Sequence, residues 1–266
     1  MILSSVIIIL GEVLEVAILI SLYLALSFRS KVSYNWLGPS LLFGLIGAII
    51  YAYCFDIVSQ WFDGFGQEVI NASIQVGIYV CLLLFNTIIF ITNKTPAVTK
   101  YIRWVMAISV SLALTREGAE IFLYLSGFYT SESLMIPVIT GSILGTGIGL
   151  SLGILIYYTF INMSPRTSLY MGYILLLFVS AGIILQAVRL MIQIDWFPAQ
   201  EIIWDVSNWL SESSVAGRLL YTLMGYEATP TLLEIQLYIV AIAGVLFSTY
   251  ITQLYISKKN RDDTCL

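Results

Sequence analysis

Two copies of a Glu-x-x-Glu motif lie inside apolar stretches of this 266-residue chain. The first copy is Glu12 with Glu15, and the second copy, Glu117 with Glu120, directly follows Arg116. On a helix, residues at i and i+3 share a face, so each copy would present two carboxylates side by side. If the two helices face each other, the carboxylates converge and repel one another. A polyvalent cation would relieve this repulsion, as would protonation of some of the glutamates.

The rest of the composition restricts which metal chemistry is available. Histidine is absent, which excludes histidine-ligated zinc, copper and haem sites as well as Ser-His and Cys-His catalysis. The cysteines Cys54, Cys81 and Cys265 lie too far apart for a CxxC motif. The net charge is −4 and no basic patch indicates nucleic-acid binding. A metal site would therefore use carboxylate oxygens, which hard cations prefer.

The elements that position these glutamates are membrane-spanning helices. Hydrophobic residues make up 59% of the chain and charged residues 11%, whereas soluble domains carry about 25% charged residues. A helical span needs about 20 apolar residues. Seven stretches meet this requirement: 2–28, 37–58, 70–92, 102–128, 135–160, 169–194 and 231–256. We therefore predict an all-α integral membrane protein with seven transmembrane helices and one transmembrane domain over 1–266.

The loop charges predict the orientation of these spans. Nine of the 12 basic residues fall in loops on one side of the topology, whereas Arg218 is the single base in the opposite loops. The positive-inside rule then puts the N-terminus outside and the C-terminus inside. The long external segment over about 195–230 carries three tryptophans. We predict amphipathic helices on the outer membrane surface over 199–210 and 212–224.

The two motif copies also predict an internal repeat. They lie in spans one and four, which cross the membrane in opposite directions, so about 1–92 and about 102–194 would form an inverted three-plus-three repeat. The seventh span would be an addition. Transporters of this design bind their substrate at the midplane between the repeats, and rocking of one repeat against the other would expose the ion inward.

A glycine stripe and several polar residues have more than one interpretation. Span five carries glycines at four-residue spacing, which predicts close helix packing, with a moving or dimerising surface as the alternative. Tyr23 and Tyr124 share a face with the glutamates, and could line the ion path or simply pack. Arg189 lies on a polar stripe with Gln186 and Gln193. We expect it to pair with a glutamate or a backbone carbonyl.

External acidic residues could raise the local cation concentration, although each could also be an ordinary solvated loop charge. The candidates are Glu68, Asp56, Asp63, Glu201 and Asp205.

Three other functions fit parts of this pattern. The glutamates could merely hold helices together, but one nearby arginine leaves an excess of negative charge. A membrane-embedded di-iron enzyme would use Glu-x-x-His pairs, which a chain without histidine does not have. A proton-coupled transporter of a non-metal solute would use the glutamates as a proton relay.

The stretch Arg116-Glu117-Gly118-Ala119-Glu120 matches the Arg-Glu-x-x-Glu signature of the oxidase-dependent high-affinity iron permeases, a family that includes the bacterial elemental-iron-uptake permease. Similar stretches follow in order along nearly the whole chain, at 66–68, 186–198, 204–207, 217–220 and 225–226. The resemblance implies a multi-pass protein of the cell membrane that imports iron. The iron would be its cargo and not a permanently bound cofactor.

The resemblance also assigns roles to residues. It implies that Glu12, Glu15, Glu117 and Glu120 bind iron, with Arg116 as the signature arginine. Family members work beside an oxidase or a periplasmic iron-binding partner, and with oxygen ligands this favours ferric iron as the substrate. Gly11 stands where the first motif of the family usually has arginine. Selectivity could therefore extend to another metal, such as manganese or lead.

Overall fold

The chain folds into long helices joined by short connections. The computed structural model describes residues 2–89, 95–129, 132–198, 200–211 and 214–264. Within these residues the α-helices are α1 (Ile2–Arg29), α2 (Leu37–Tyr53), α3 (Phe55–Ser59), α4 (Gly66–Ile89), α5 (Pro96–Ser126), α6 (Glu132–Asn162), α7 (Pro165–Gln193), α8 (Val215–Met224) and α9 (Leu232–Thr264). Seven of them, all except α3 and α8, are long and apolar enough to cross a membrane. The predicted all-α fold with seven candidate spans is confirmed.

Local sequence signals fix several helix ends. Thr95 caps α5, since its Oγ1 accepts a hydrogen bond from the Val98 amide and Pro96 occupies the first helical position. Ser164 and Pro165 do the same for α7. The guanidinium of Arg29, at the end of α1, donates to three backbone carbonyls at the C-terminus of α6. Those carbonyls lack intrahelical partners, so the contact joins α1 and α6 at that end.

The helices pair across the two halves of the chain. α1 packs along α6 and α2 packs along α5, while α4 contacts α5 and α7 contacts α1. The helices of the first half, α1, α2 and α4, correspond to α5, α6 and α7 of the second half. If each helix is replaced by its counterpart, every one of these contacts becomes another observed contact. An inverted three-plus-three repeat requires this pattern of neighbours. The orientation of the bundle in the membrane stays a prediction.

The glycine stripe of α6 lies against α1. A Cβ added at Gly145 would lie 2.7 Å from the Val6 carbonyl oxygen, and one at Gly141 would lie 2.6 Å from that of Ile2. Gly149 and Gly153 face Val13 and Ala17 in the same way. The stripe therefore lets the backbones of α1 and α6 approach each other closely, as the packing interpretation predicts.

We expect Gly145→Val to destabilise the protein by about 1–3 kcal/mol, because the added atoms meet the backbone of α1, which cannot move aside. The matched control is Gly147→Val, since a Cβ at Gly147 meets no atom within 4 Å. Thermal unfolding in detergent measures both variants. Equal melting temperatures for the two would contradict the close packing of α6 on α1.

The external segment differs in part from its prediction. Residues 200–210 are not helical, so the predicted helix over 199–210 is wrong. Ile202 instead forms an isolated antiparallel bridge with Thr231, and the Val206 amide donates to the Ala228 carbonyl at 2.9 Å. The Asp205 carboxylate accepts from the Ser207 amide at 2.8 Å, an Asx turn that competes with helical hydrogen bonding. Hydrogen bonds from Ser207 also hold the pKa of the Asp205 carboxyl below its usual value.

The second external helix is present as α8, which ends at Gly225 in the left-handed conformation (φ 66°). α8 packs against α1 and α7. It therefore contacts the helix that carries the first motif.

Candidate metal site

The register between α1 and α5 sets the position of each glutamate along the axis of the helix pair. The Tyr23 hydroxyl of α1 donates to the Ser109 hydroxyl of α5 at 3.2 Å. Since the helices run antiparallel, Glu15 and Glu117, each eight residues from this contact, lie level with each other. Each motif therefore contributes one carboxylate to each of two layers, about 4.5 Å apart at 1.5 Å of rise per residue. With the N-terminus outside, as the loop charges predict, the outer layer is Glu12 with Glu120 and the inner layer is Glu15 with Glu117.

Three of the four predicted ligands converge directly. Glu12, Glu117 and Glu120 each offer a carboxylate oxygen, and these oxygens all lie within 4.8 Å of one another. Hard cations bind oxygen at about 2.0–2.6 Å, so one small ion between the three could reach them all with little adjustment. Glu117 is 2% exposed, whereas Glu12 and Glu120 are partly exposed.

Arg116 contacts three of the four motif carboxylates, those of Glu15, Glu117 and Glu120. Its Nη1 contacts the Glu117 carboxylate and lies 3.4 Å from Glu15 Oε2, while its Nε lies 3.4 Å from Glu120 Oε1. The guanidinium thus links Glu15 to Glu117 and Glu120, which converge with Glu12. Four ionised carboxylates and one guanidinium leave a formal charge of −3. The site is therefore undercompensated without a bound cation.

Amide side chains that the sequence analysis did not assign to the site hold two of the glutamates in place. Gln186 of α7 donates to Glu15 Oε1 at 3.1 Å, and its own oxygen accepts from Gln75 Nε2 at 2.7 Å. On the other side, Asn71 donates to Glu120 Oε1 at 3.3 Å. The Tyr51 hydroxyl donates to Asn71 Oδ1 at 2.9 Å and so fixes which way this amide points. The four-residue spacing of Asn71 and Gln75 inside an apolar span was the available signal.

The two tyrosines contact no carboxylate of the described residues. Tyr23 is buried against Phe85, with ring centroids 4.7 Å apart, and its hydroxyl bonds to Ser109. The Tyr124 hydroxyl shares a hydrogen bond with Ser5 Oγ at 2.8 Å, which ties α5 to α1. Both positions fit the packing interpretation.

Arg189 lies in a separate cluster from the motif glutamates. Its Nε donates to Glu234 Oε1 at 3.2 Å, its Nη2 contacts the Glu227 carboxylate, and its guanidinium lies 5.3 Å from the Tyr221 ring centroid. It therefore joins α7 to α8, α9 and the loop between them, while Gln186 of the same polar stripe turns to Glu15.

Glu68 differs in burial from the other acidic residues that are predicted to be external. It is partly buried in the first turn of α4, three residues before Asn71 on the same face. The Tyr51 phenol lies within electrostatic range of both Glu68 and Glu120. The other four candidates are exposed: Asp56, Asp63, Glu201 and Asp205.

Comparison with known proteins gives a family for the chain. The iron permease FTR1 family matches residues 2–259. The chain is 24% identical over 256 residues to a ferrous iron permease EfeU of Escherichia coli O6:H1, covering 90% of this chain and 92% of that relative. It is likewise 24% identical over 254 residues to EfeU of Yersinia pestis, with 88% of each chain covered.

One relative that matches over a shorter stretch has a higher sequence identity. EfeU of Shigella flexneri is 29% identical over 145 residues, which cover 54% of this chain and 61% of that relative. No solved structure matches. Since the family match runs from α1 through the last span, the protein belongs to the iron permease FTR1 family.

Proposed function

We propose that this multi-pass permease imports iron across the cell membrane through the carboxylates of its two Glu-x-x-Glu motifs. Family membership supports iron as the cargo. The observation that carries the site is the position of Glu117. One of its oxygens contacts Arg116, and it lies among the carboxylates of Glu12 and Glu120, while its Oε2 accepts no hydrogen bond from the described residues.

A cation would compensate the excess negative charge at this position and the Glu117 oxygen that has no donor among the described residues. A buried carboxylate is costly unless it is paired and hydrogen-bonded. Arg116 and the amides of Asn71 and Gln186 supply donors to Glu120 and Glu15. The acceptors left over therefore converge from α1 and α5, where an arriving ion would exchange its water for carboxylate oxygen.

The inverted repeat is part of the same proposal. The antiparallel register of α1 and α5 and the exchangeable helix neighbours support it. The basic residues predict that the C-terminus is inside, so the ion would arrive on the side of Glu68, where acidic residues raise its local concentration.

We further propose that the ion is ferric. The relatives carry the word ferrous in their names, but an all-oxygen donor set suits the harder ion. The formal charge of the site, −3, also balances a trivalent cation. A ferric substrate would be supplied from outside by an oxidase or an iron-binding protein.

We expect Glu12→Gln to lower the initial rate of iron uptake about tenfold or more, because one of three convergent charged ligands is lost. The measurement is uptake of radioactive iron by proteoliposomes, with iron supplied as ferric citrate or kept ferrous by ascorbate. Mn²⁺ and Pb²⁺ serve as competitors and test the selectivity that Gly11 leaves open.

Uptake by Glu12→Gln at the wild-type rate would contradict the site. Faster wild-type uptake of ferrous than of ferric iron would contradict the ferric substrate and leave the site standing. Competition by Mn²⁺ or Pb²⁺ as strong as that by unlabelled iron would contradict selectivity for iron.

A further inference from the structure

We propose a second, deeper cation-binding station in the bundle, formed by Glu15, Glu117 and the amide oxygen of Gln75. It rests on the proposed function, because it would receive iron from the outer group of Glu12, Glu117 and Glu120. Glu117 belongs to both groups, and Gln75 is a ligand that the motifs do not contain.

A small cavity marks the position of this station. It has a volume of about 20 Å³, enough for one water-sized particle. The polar residues that line it are Glu15, Gln75, Arg116, Glu117, Gln186 and Thr222. Apolar side chains, among them Ile18, Ile78 and Val179, line the rest of the cavity, so an ion inside would have few water molecules around it.

Gln75 lines this cavity and has an unused ligand atom. It is 0% exposed, its Nε2 donates to Gln186 Oε1 at 2.7 Å, and its Oε1 accepts no hydrogen bond within the described residues. Because Gln186 takes the amide nitrogen, the oxygen of Gln75 is the free end. A buried acceptor without a donor is destabilising, and a cation in the cavity would satisfy it.

The second orphaned acceptor near the cavity belongs to Glu117. Its Oε2 is buried and likewise accepts no hydrogen bond from the described residues. The two residues with unsatisfied oxygens, Gln75 of α4 and Glu117 of α5, therefore line the same small cavity as Glu15 of α1. Arg116 compensates part of the negative charge here, but it leaves these two oxygens without a donor among the described residues.

The two stations suit a stepwise transfer. An ion could keep Glu117 while it exchanges the outer carboxylates for Glu15 and the neutral Gln75 oxygen, a movement of about one helical turn. Arg116 contacts both inner carboxylates, which weakens their hold on a cation. A transport site must bind well enough to load and weakly enough to release, and the inner station meets the second requirement.

The test compares Gln75→Leu with Asn86→Leu. Asn86 lies three turns further along α4, is 0% exposed, and neither of its amide atoms has a hydrogen-bond partner in the described residues. It is therefore a matched change of a buried amide outside the cavity. Purified protein is titrated with ferric citrate to obtain the affinity, and proteoliposomes give KM and the maximal rate.

We expect Gln75→Leu to lower the maximal rate about tenfold, the size of one lost charged contact, and to keep the binding affinity within about twofold, because the outer group is intact. Asn86→Leu should match the wild type in both. Gln75→Glu, which adds a charge without changing shape, should bind iron about tenfold more tightly and transport it more slowly.

Equal maximal rates for Gln75→Leu and Asn86→Leu would overturn the inner station even if Glu12→Gln is inactive. Loss of affinity and rate together in Gln75→Leu would overturn the separation of the two stations. Should Gln75→Leu not fold, an unchanged affinity in Gln75→Glu would overturn the proposal. Wild-type transport by Glu12→Gln would instead refute the proposed function itself.

Discussion

Proteoliposomes containing Glu117→Gln should take up iron at the background rate of protein-free vesicles. Glu117 is the most buried of the four motif glutamates and the one carboxylate shared by the outer group and the inner cavity. Its loss removes a charged ligand at both positions. A contact to a charged group worth about 3 kcal/mol corresponds to about 100-fold in rate or affinity.

The substitution should leave the fold intact, because glutamine has the same shape and Arg116 keeps Glu15 and Glu120 as partners. The control is Asp195→Asn, which also neutralises one acidic residue. Asp195 is exposed and has a left-handed backbone (φ 57°), which asparagine adopts readily. Uptake above background by folded Glu117→Gln would contradict the assignment of Glu117 as a ligand.

The second large effect concerns stability. We expect Arg116→Gln to destabilise the protein by about 3–5 kcal/mol in the absence of metal, because three neighbouring carboxylates lose their guanidinium partner within the bundle. Saturating iron should recover part of the loss, since a cation would take over the compensation.

Thermal unfolding in detergent, with and without iron, measures both effects. Arg166→Gln is the matched control, since Arg166 is exposed at the start of α7. Removing this charge should change stability by less than about 0.5 kcal/mol, as is usual for surface substitutions. A melting temperature of Arg116→Gln that does not respond to iron would contradict the idea that a cation and the guanidinium compensate the same charges.

The four motif glutamates could be proposed as ligands from the sequence because charges inside apolar spans stand out. Buried glutamates are costly in a membrane, so Glu12 and Glu117 needed a functional explanation. Asn71 and Gln75 were harder, because amides are tolerated in transmembrane helices as ordinary packing groups. Their role depends on which face of α4 meets α5 and α7, and the spacing within α4 does not reveal that.

Two further features depend on contacts between distant residues. Arg116 and Gln186 contact each other and Glu15, whereas Glu12 lies with Glu117 and Glu120. The structure of 200–210 follows from pairing with residues near Thr231. The amphipathic pattern by itself favours a helix there, because it carries no information about the pairing with this distant segment.

The glycine contacts also indicate which helices would move together. α1 and α6 meet backbone to backbone at Gly141 and Gly145, and α2 and α5 are almost as close, since a Cβ at Gly118 would lie 2.9 Å from that of Ala48. Each tight pair takes one helix from each half of the chain. We therefore expect each mixed pair to move as one unit, because a half of the chain that rocked as a block would have to break both of these close contacts.

One mixed pair carries Glu12 and Glu15, and the other carries Glu117 and Glu120. The coordination shell of the ion would then be the joint between two moving bodies. Opening that joint would separate the ligands of the ion, so release would need no separate trigger. In the empty site, Arg116 would still join the two bodies through its contact with Glu15.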